Sequence, residues 1–403
     1  MFLSIGLTGC GGGTTGNSES RKNPESTQKP ESNEPASETP DESDEPSSES
    51  IYESESESVA KFEIVSPKGT VYSYNDAILK YLNAGTDADV ADYATPMDDQ
   101  AQSVLIEWND NEEADEYIVE YSSKEDFSDA ITEKVPGTKR RLKVYNLYKA
   151  SAYYLRITAK KAGAGTRTIE STFKTQTVGP RVMKIGGLIN VRDVGGYTTE
   201  SGKTVQQGLI FRGSCLSPSK DPAYANIQIT DDGKKYLSET LKIKSDFDMR
   251  SAALYPNLTE SPIPNAKITF FGISGYADAF GNFKDNYRKL FSAFADKNNY
   301  PVYIHCDAGA DRTGTAILLL EYLLGMKESD IKHDYEFTTF SRAGLRSFTS
   351  GAYVGYIDGF YEGLQKFDGD TWTEKVENYL LSIGVTADEI ANIRSIMYGE
   401  TAI

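Results

Sequence analysis

The stretch from Pro301 to Gly325 constrains the fold more than any other. Pro301–Ile304, overlapping the short apolar run Val302–His305, reads as a strand. The next residues, His305-Cys306-Asp307-Ala308-Gly309-Ala310-Asp311-Arg312-Thr313-Gly314, combine charged, small and glycine positions. Ala316–Leu324 is then apolar nearly all round, and Gly325 stops it as a glycine does at a helix end. A helix without a polar face is expected to be buried. Strand, loop and buried helix in this order belong in a layered α/β core.

The surrounding segments repeat the alternation. Ile210–Arg212, Ile243–Phe247 and Ile268–Ile273 read as strands, and Thr230–Leu241 and Tyr287–Asp296 as helices. Thr371-Trp372-Thr373-Glu374 and Thr386-Ala387-Asp388-Glu389 fit the capping box and start two C-terminal helices. Residues 179–403 are therefore expected to form an α/β domain with a central, mostly parallel sheet flanked by helices.

Residues 61–178 read as an all-β sandwich. Ser103–Trp108, Tyr117–Tyr121, Leu142–Val144 and Tyr153–Ala159 are rich in aromatic and β-branched residues. Asn75–Leu82 reads as a short helix. Trp108, the Tyr117–Tyr121 strand, and Leu147 followed six residues later by Tyr153 resemble the pattern of fibronectin type III domains, with their tyrosine corner. Since fold does not imply function, this region is read as a spacer without a ligand, with a specific carbohydrate or protein binder as the alternative.

The 403-residue chain has a net charge of −18, unevenly spread. Residues 11–60 hold 13 acidic and three basic residues and are rich in Ser, Pro and Glu, with Tyr52 the only aromatic. Such a segment buries too little apolar surface to offset its chain entropy, so a disordered linker is expected. At the start, Leu7-Thr8-Gly9-Cys10 fits the bacterial lipobox. Residues 1–10 then read as a truncated lipoprotein signal, with lipid on Cys10 and the protein held outside the cytoplasm. The acidic balance argues against nucleic acid. The two histidines and three cysteines form no metal-ligand cluster in the sequence and no disulfide framework, so no metal and no cofactor are expected. No apolar stretch is long enough to span a bilayer.

The pattern H-C-x5-R-T at 305–313, between a strand and a helix, resembles the protein tyrosine phosphatase superfamily. A loop wrapped from Cys306 to Arg312 turns backbone N–H groups inward as an anion nest, and the following helix adds its dipole. Asp307, Ala308, Gly309, Ala310, Asp311 and Arg312 would hold phosphate. Both effects favour a thiolate at Cys306, which should ionise below the usual value of about 8.5. It would attack phosphorus in line, giving a phosphocysteine. Arg312 grips two phosphate oxygens, as a lysine cannot. Thr313 is expected to hydrogen-bond the sulfur, and His305 to order the loop. The leaving oxygen needs a proton donor. Asp278, in Gly275-Tyr276-Ala277-Asp278, lies where the family's movable acid loop would fall; Asp311 inside the loop is the other candidate.

A second segment narrows the family. Asn190-Val191-Arg192-Asp193-Val194-Gly195-Gly196-Tyr197 resembles the N-x-R-D-x-G-G-Y opening of bacterial tyrosine/serine phosphatases often secreted or lipid-anchored. Phe211-Arg212-Gly213-Ser214 and Asp248-Met249-Arg250 resemble its next landmarks, and the resemblance covers roughly 184–400. Asn190, Arg192 and Asp193 are expected to support the site, the last two as a buried ion pair, with Gly195-Gly196 in a tight turn. Ala310 stands where many members carry a lysine for a second phosphate. The loop also resembles that of phytase-like phosphatases, which need a strongly basic pocket; the nearest cluster here is Arg140-Arg141 in the sandwich. The resemblance thus implies a phosphatase of phosphotyrosine, with phosphoserine and phosphothreonine as further substrates. The alternatives are an inositol-phosphate or phosphoinositide phosphatase and a surface protein that only holds anions. Cys215 reads as a buried free thiol or as a disulfide partner of Cys306.

Overall fold

The computed structural model describes residues 61–403. The readings of Cys10, the signal and the acidic linker lie outside the described residues.

The N-terminal β region is built from β1 (Phe62–Ser66), β2 (Thr70–Val71), β3 (Val104–Asp110), β4 (Glu116–Ser122), β5 (Ile131–Pro136), β6 (Arg141–Val144), β7 (Ala152–Lys160) and β8 (Thr166–Thr175). One sheet has the order β1-β3-β6 and the other β2-β8-β7-β4-β5. Alternation of side chains along β7 turns Tyr153, Leu155, Ile157 and Ala159 inward. They share a core with Ile106 and Trp108 of β3 and Tyr117 and Val119 of β4. The Tyr153 hydroxyl accepts from the Tyr148 backbone N–H at 2.9 Å, the bond a tyrosine corner makes. β5 and β8 carry no apolar period: β5 buries only Val135, and β8 only Phe173 and Thr175. That is why composition alone does not reveal them.

Between β2 and β3 the chain leaves these sheets. Helix α1 (Asp76–Asn83) is capped by Asn75, whose side chain accepts from the Ile78 N–H. Its Ile78, Tyr81 and Leu82, with Tyr74 and Val90, pack against Phe337 and Phe340 of the C-terminal part.

The C-terminal part is centred on a six-stranded sheet. Its strands are β9 (Arg181–Val182), β10 (Arg192–Asp193), β11 (Ile210–Gly213), β12 (Ser245–Asp248), β13 (Lys267–Phe270) and β14 (Val302–His305), in the order β13-β12-β14-β11-β10-β9. The first four in that order are parallel; β10 runs antiparallel to both neighbours. β12 and β13 are shorter and shifted relative to the apolar runs that announce them. Helices α2 (Asp231–Lys235), α3 (Lys284–Phe294), α4 (Asp311–Leu323), α5 (Glu328–Glu336), α6 (Val354–Leu364), α7 (Trp372–Ser382) and α8 (Ala387–Met397) cover it. α2 continues as a π-helical stretch to Thr240. Val302 and Ile304 point into the larger core, with α4; Tyr303 points to the opposite face, with Phe211 and Leu237.

Helix α4 is buried from Thr313 to Leu323, as its apolar composition requires. Both capping boxes form, at Thr371/Glu374 and Thr386/Glu389. α5 lacks a readable apolar stripe, whereas the buried Ile357, Phe360 and Leu364 of α6 follow helical spacing. The buried face of α5 includes Asp334 and Glu336. α6 contains three glycines, one of which, Gly363, lies so close to Phe280 that a Cβ would fall 2.2 Å from its ring.

The described residues, 61–403, belong to one compact unit. Lys149 of the β region is buried at the junction, with its ammonium 3.6 Å from the Tyr197 ring centroid and donating to Gly179 O at 2.6 Å. Burial holds its ammonium pKa down at about 8. Gly196 adopts φ +90°, and a Cβ there would lie 2.7 Å from the Lys149 side chain. The double glycine therefore also makes room for this junction. Among the described residues no helix is long and apolar enough to cross a membrane.

Candidate active site

β14 delivers His305 and Cys306 to the C-terminal edge of the sheet, and α4 begins at Asp311. The loop between them turns at Gly309, where φ is +68°. A Cβ there would lie 2.1 Å from Gly213 O, so both conformation and space demand glycine.

Successive loop carbonyls have partners outside the loop. Cys306 O contacts His305 Nδ1 at 3.1 Å, and Asp307 O accepts from the Cys215 N–H at 3.0 Å. Ala308 O accepts from Asn190 Nδ2 at 3.2 Å, and Gly309 O from Arg212 Nη2 at 3.0 Å. The trans peptide unit is planar, so a carbonyl held outward turns the next N–H inward. The N–H groups of Asp307, Ala308, Gly309 and Ala310 are thereby turned to the inside of the loop, as an anion nest requires. The first turn of α4 adds its free N–H groups beside them.

His305 is buried with Nε2 3.0 Å from Asp246 Oδ1. Burial opposes its charge, but the Asp248 and Asp246 carboxylates outweigh it and raise the imidazolium pKa to about 9. A doubly protonated ring donates to Asp246 and to Cys306 O together.

The motif at 190–193 divides into two separate tasks. Asn190, at φ +59°, braces the loop and accepts from Arg192 Nη1 at 2.7 Å. Arg192 and Asp193 do not form the expected pair. Adjacent strand residues point to opposite faces of the sheet. Arg192 binds Asp334 of α5 at 2.8 Å, while Asp193 binds Arg181 at 2.9 Å. Arg212 joins Arg192 on Asp334, so one buried carboxylate anchors both arginines that order the loop. The two arginines hold the Asp334 carboxyl below the usual range against the opposing effect of burial. Nothing in the local sequence marks Asp334.

Arg312 contacts the Asp307 carboxylate, which also binds the Ser219 hydroxyl and, at 3.3 Å, the Tyr255 hydroxyl. The Asp307 backbone thus serves the loop while its side chain holds Arg312. Burial works against the Arg312 charge, but Cys306 and Asp307 push its pKa up. Thr313, third in the helix and fully buried, has no hydrogen-bond partner for its hydroxyl, so the expected bond to the Cys306 sulfur is not made. Cys215 and Cys306 are both free and buried. Burial pushes the Cys215 thiol up to about 12, which leaves it a packed core group.

A cavity of about 420 Å³ opens beside Arg312, lined also by Asp311, Asp278, Tyr276, Tyr353 and Tyr356. Both candidate proton donors therefore face one space. Asp311 is engaged by Arg346 at 2.7 and 2.9 Å and by the Tyr276 hydroxyl at 2.7 Å. Asp278 is exposed and accepts from Ser274 Oγ at 2.6 Å. Arg346 was not legible in advance, because only the fold brings residues 311 and 346 together.

A parallel strand entering a cysteine-to-arginine anion loop that opens a buried helix is the architecture of cysteine-dependent phosphatases. Residues 183–399, more than half of the chain, match the model of the tyrosine phosphatase family. The chain belongs to that family. A Cupriavidus necator protein named as a candidate tyrosine-protein phosphatase is 27% identical over 174 residues, or 37% of this chain. The chain spans 59% of that relative's length. The solved catalytic core of the PP-IP phosphatase Siw14 from S. cerevisiae, in complex with citrate, is 20% identical, with a TM-score of 0.25. That match covers 40% of this chain and 82% of the Siw14 core. A fn3 domain of human collagen alpha-1(XX) is 17% identical over 18% of this chain and 68% of its own length, with a TM-score of 0.17.

Proposed function

We propose that residues 179–403 act as a cysteine-dependent phosphomonoesterase that prefers aryl phosphates, phosphotyrosine first. One observation carries the preference. The cavity beside Arg312 is walled by Tyr353 and Tyr356, and among the described residues Arg312 is the one basic side chain in its lining. Aromatic walls suit a flat ring. A headgroup with several phosphates needs several cations, and nearby Arg346 is already paired with Asp311.

In this reading the Cys306 sulfur attacks phosphorus, forming the S–P bond as the P–O bond to the leaving group breaks. Arg312 and the inward N–H groups hold the equatorial oxygens. Asp278 gives its proton to the leaving phenolate. It then takes a proton from the water that attacks the phosphocysteine, and inorganic phosphate leaves as the thiolate returns. Asp278 is favoured over Asp311 because Asp311 is committed to a charge-assisted, two-point bond with Arg346. Phosphoserine and phosphothreonine fit as slower substrates, since their alkoxides depend more on the proton donor.

The test is kcat/KM for wild type and Cys306→Ser on phosphotyrosine peptides and on a series of inositol phosphates. Faster turnover of inositol polyphosphates would reverse the substrate preference. Equal rates in both proteins would remove the cysteine mechanism.

We further propose that Cys10 carries a lipid anchor that displays the enzyme outside the cytoplasm. The N-terminal β region is then a fibronectin type III-like spacer. The lipobox and the acidic stretch support this, and Cys10→Ala should shift the protein into the medium. A variant still held in the membrane fraction would refute it.

A further inference from the structure

We infer that residues 72–101, although they interrupt the N-terminal β region, are a working part of the catalytic scaffold, with Asp89 as the positioning residue. The inference rests on the phosphatase reading above.

The argument starts from the chain between Phe340 and Val354, which has no helix or strand of its own. Its one contribution to the charged side of the cavity is Arg346. That guanidinium makes the two-point bond to Asp311 at the start of α4 and stacks 3.4 Å from the centroid of Tyr353, a wall of the cavity. A loop without regular structure holds such a geometry only if other elements fix it. Arg346 N–H donates to Thr339 Oγ1 at 2.9 Å, and Phe348 N–H to Glu336 Oε1 at 2.8 Å. Thr339 Oγ1 also donates to Arg346 O at 2.9 Å, and Arg342 Nη2 to Asn226 Oδ1 at 2.8 Å. Further ties come from residues 72–101. Asp89 Oδ1 accepts from Ser347 Oγ at 3.2 Å and from Ser350 Oγ at 2.8 Å. The Tyr81 hydroxyl binds Glu336, the residue that holds Phe348. Met97 N–H donates to Phe340 O at 3.1 Å, and Gln100 Nε2 to Phe337 O at 2.8 Å. From α5, Lys332 Nζ closes the joint on Thr86 O and Ala88 O at 2.6 and 2.8 Å.

Asp89 is thus placed to hold Ser347, between Arg346 and Phe348, and Ser350 just beyond them, and through these the Asp311 pair and the Tyr353 wall. It touches neither Arg346 nor the cavity lining, so its effect on turnover must pass through the loop.

A double-mutant cycle tests this in the full chain. kcat and KM for an aryl phosphate are measured for wild type, Asp89→Ala, Arg346→Gln and the double variant. The expected loss in kcat/KM for Asp89→Ala is about tenfold, the equivalent of one hydrogen bond to a charged group. Asp89→Glu should recover part of it. The double variant should be no worse than Arg346→Gln alone. Additive losses, or Asp89→Ala within twofold of wild type, would overturn the inference. Trypsin cleavage after Arg342 provides a readout independent of turnover: Asp89→Ala should speed it, and an unchanged rate would also overturn the inference. If Asp89→Ala fails to fold, Ser347→Ala/Ser350→Ala removes the same bonds from the other side and is read in the same way. An inactive wild type would refute the phosphatase reading, with the cleavage rates still deciding the brace.

Discussion

Asn190→Asp separates loop geometry from stability. Asn190 Oδ1 accepts from Arg192 Nη1 at 2.7 Å, and a carboxylate keeps that bond and adds charge. Asn190 Nδ2 donates to Ala308 O at 3.2 Å and lies 3.3 Å from Thr338 Oγ1 and 3.5 Å from Gly309 O. In the variant an acceptor takes its place and meets the loop carbonyls acceptor to acceptor. The backbone at φ +59° tolerates Asp nearly as well as Asn, so strain adds little. Leaving one buried carbonyl without its donor costs about 1–3 kcal/mol. Felt wholly in the transition state, that is about 5- to 150-fold in kcat. The upper end reaches the lower part of the roughly 10²- to 10³-fold loss seen when one oxyanion donor is removed. Stability should change little, since the gained Arg192 pairing offsets the lost bond. Asn190→Gly is the control: it frees the backbone and deletes both bonds, so it should lose activity and melt lower together. The assay is steady-state hydrolysis of an aryl phosphate alongside thermal unfolding of the same samples. Asn190→Asp with kcat/KM within twofold of wild type would refute the idea that outward carbonyls set the inward N–H groups.

Three further outcomes follow from the same geometry. The His305 pKa rises from 6.5 to about 9 on folding, so its contribution is fully present below 6.5 and is lost as pH rises through about 9. The 2.5-unit gap sets an upper bound of about 3 kcal/mol. Chemical-denaturation midpoints of wild type should fall across that window and those of His305→Gln should not; parallel curves would remove the buried imidazolium. Asp278→Asn should lose the fall of kcat at high pH and suffer most with poor leaving groups, whereas Asp311→Asn should keep that limb. The reverse pattern would make Asp311 the proton donor. Iodoacetamide near pH 7 should modify the peptide bearing Cys306 and spare the one bearing Cys215, whose thiol is pushed up to about 12 by burial. Peptide mass spectrometry reads this directly, and equal labelling would contradict the packed state of Cys215.

What the residues by themselves determined is local. A glycine at a left-handed turn, a capping threonine three residues before a glutamate, or an all-apolar helix has consequences within a turn or two of chain. Gly325, the caps at Thr371 and Thr386, and the burial of α4 were legible for that reason. So was the run from Cys306 to Arg312, whose anion nest is made by neighbouring peptide units. Pairings across the chain were not legible. Arg192 lies next to Asp193 in sequence, but β-strand geometry sends them to opposite faces, one to Asp334 and the other to Arg181. Arg346 reaches Asp311, and Asp89 reaches Ser350, only because separate elements pack together. Helix α5 stayed hidden because its buried acids, Asp334 and Glu336, erase the apolar period a helix normally shows. The chain's own pattern thus placed the nucleophile and the anion loop. Tertiary packing decided what holds that loop and what walls the cavity beside it, because buried charges take their partners from whichever element lies within reach.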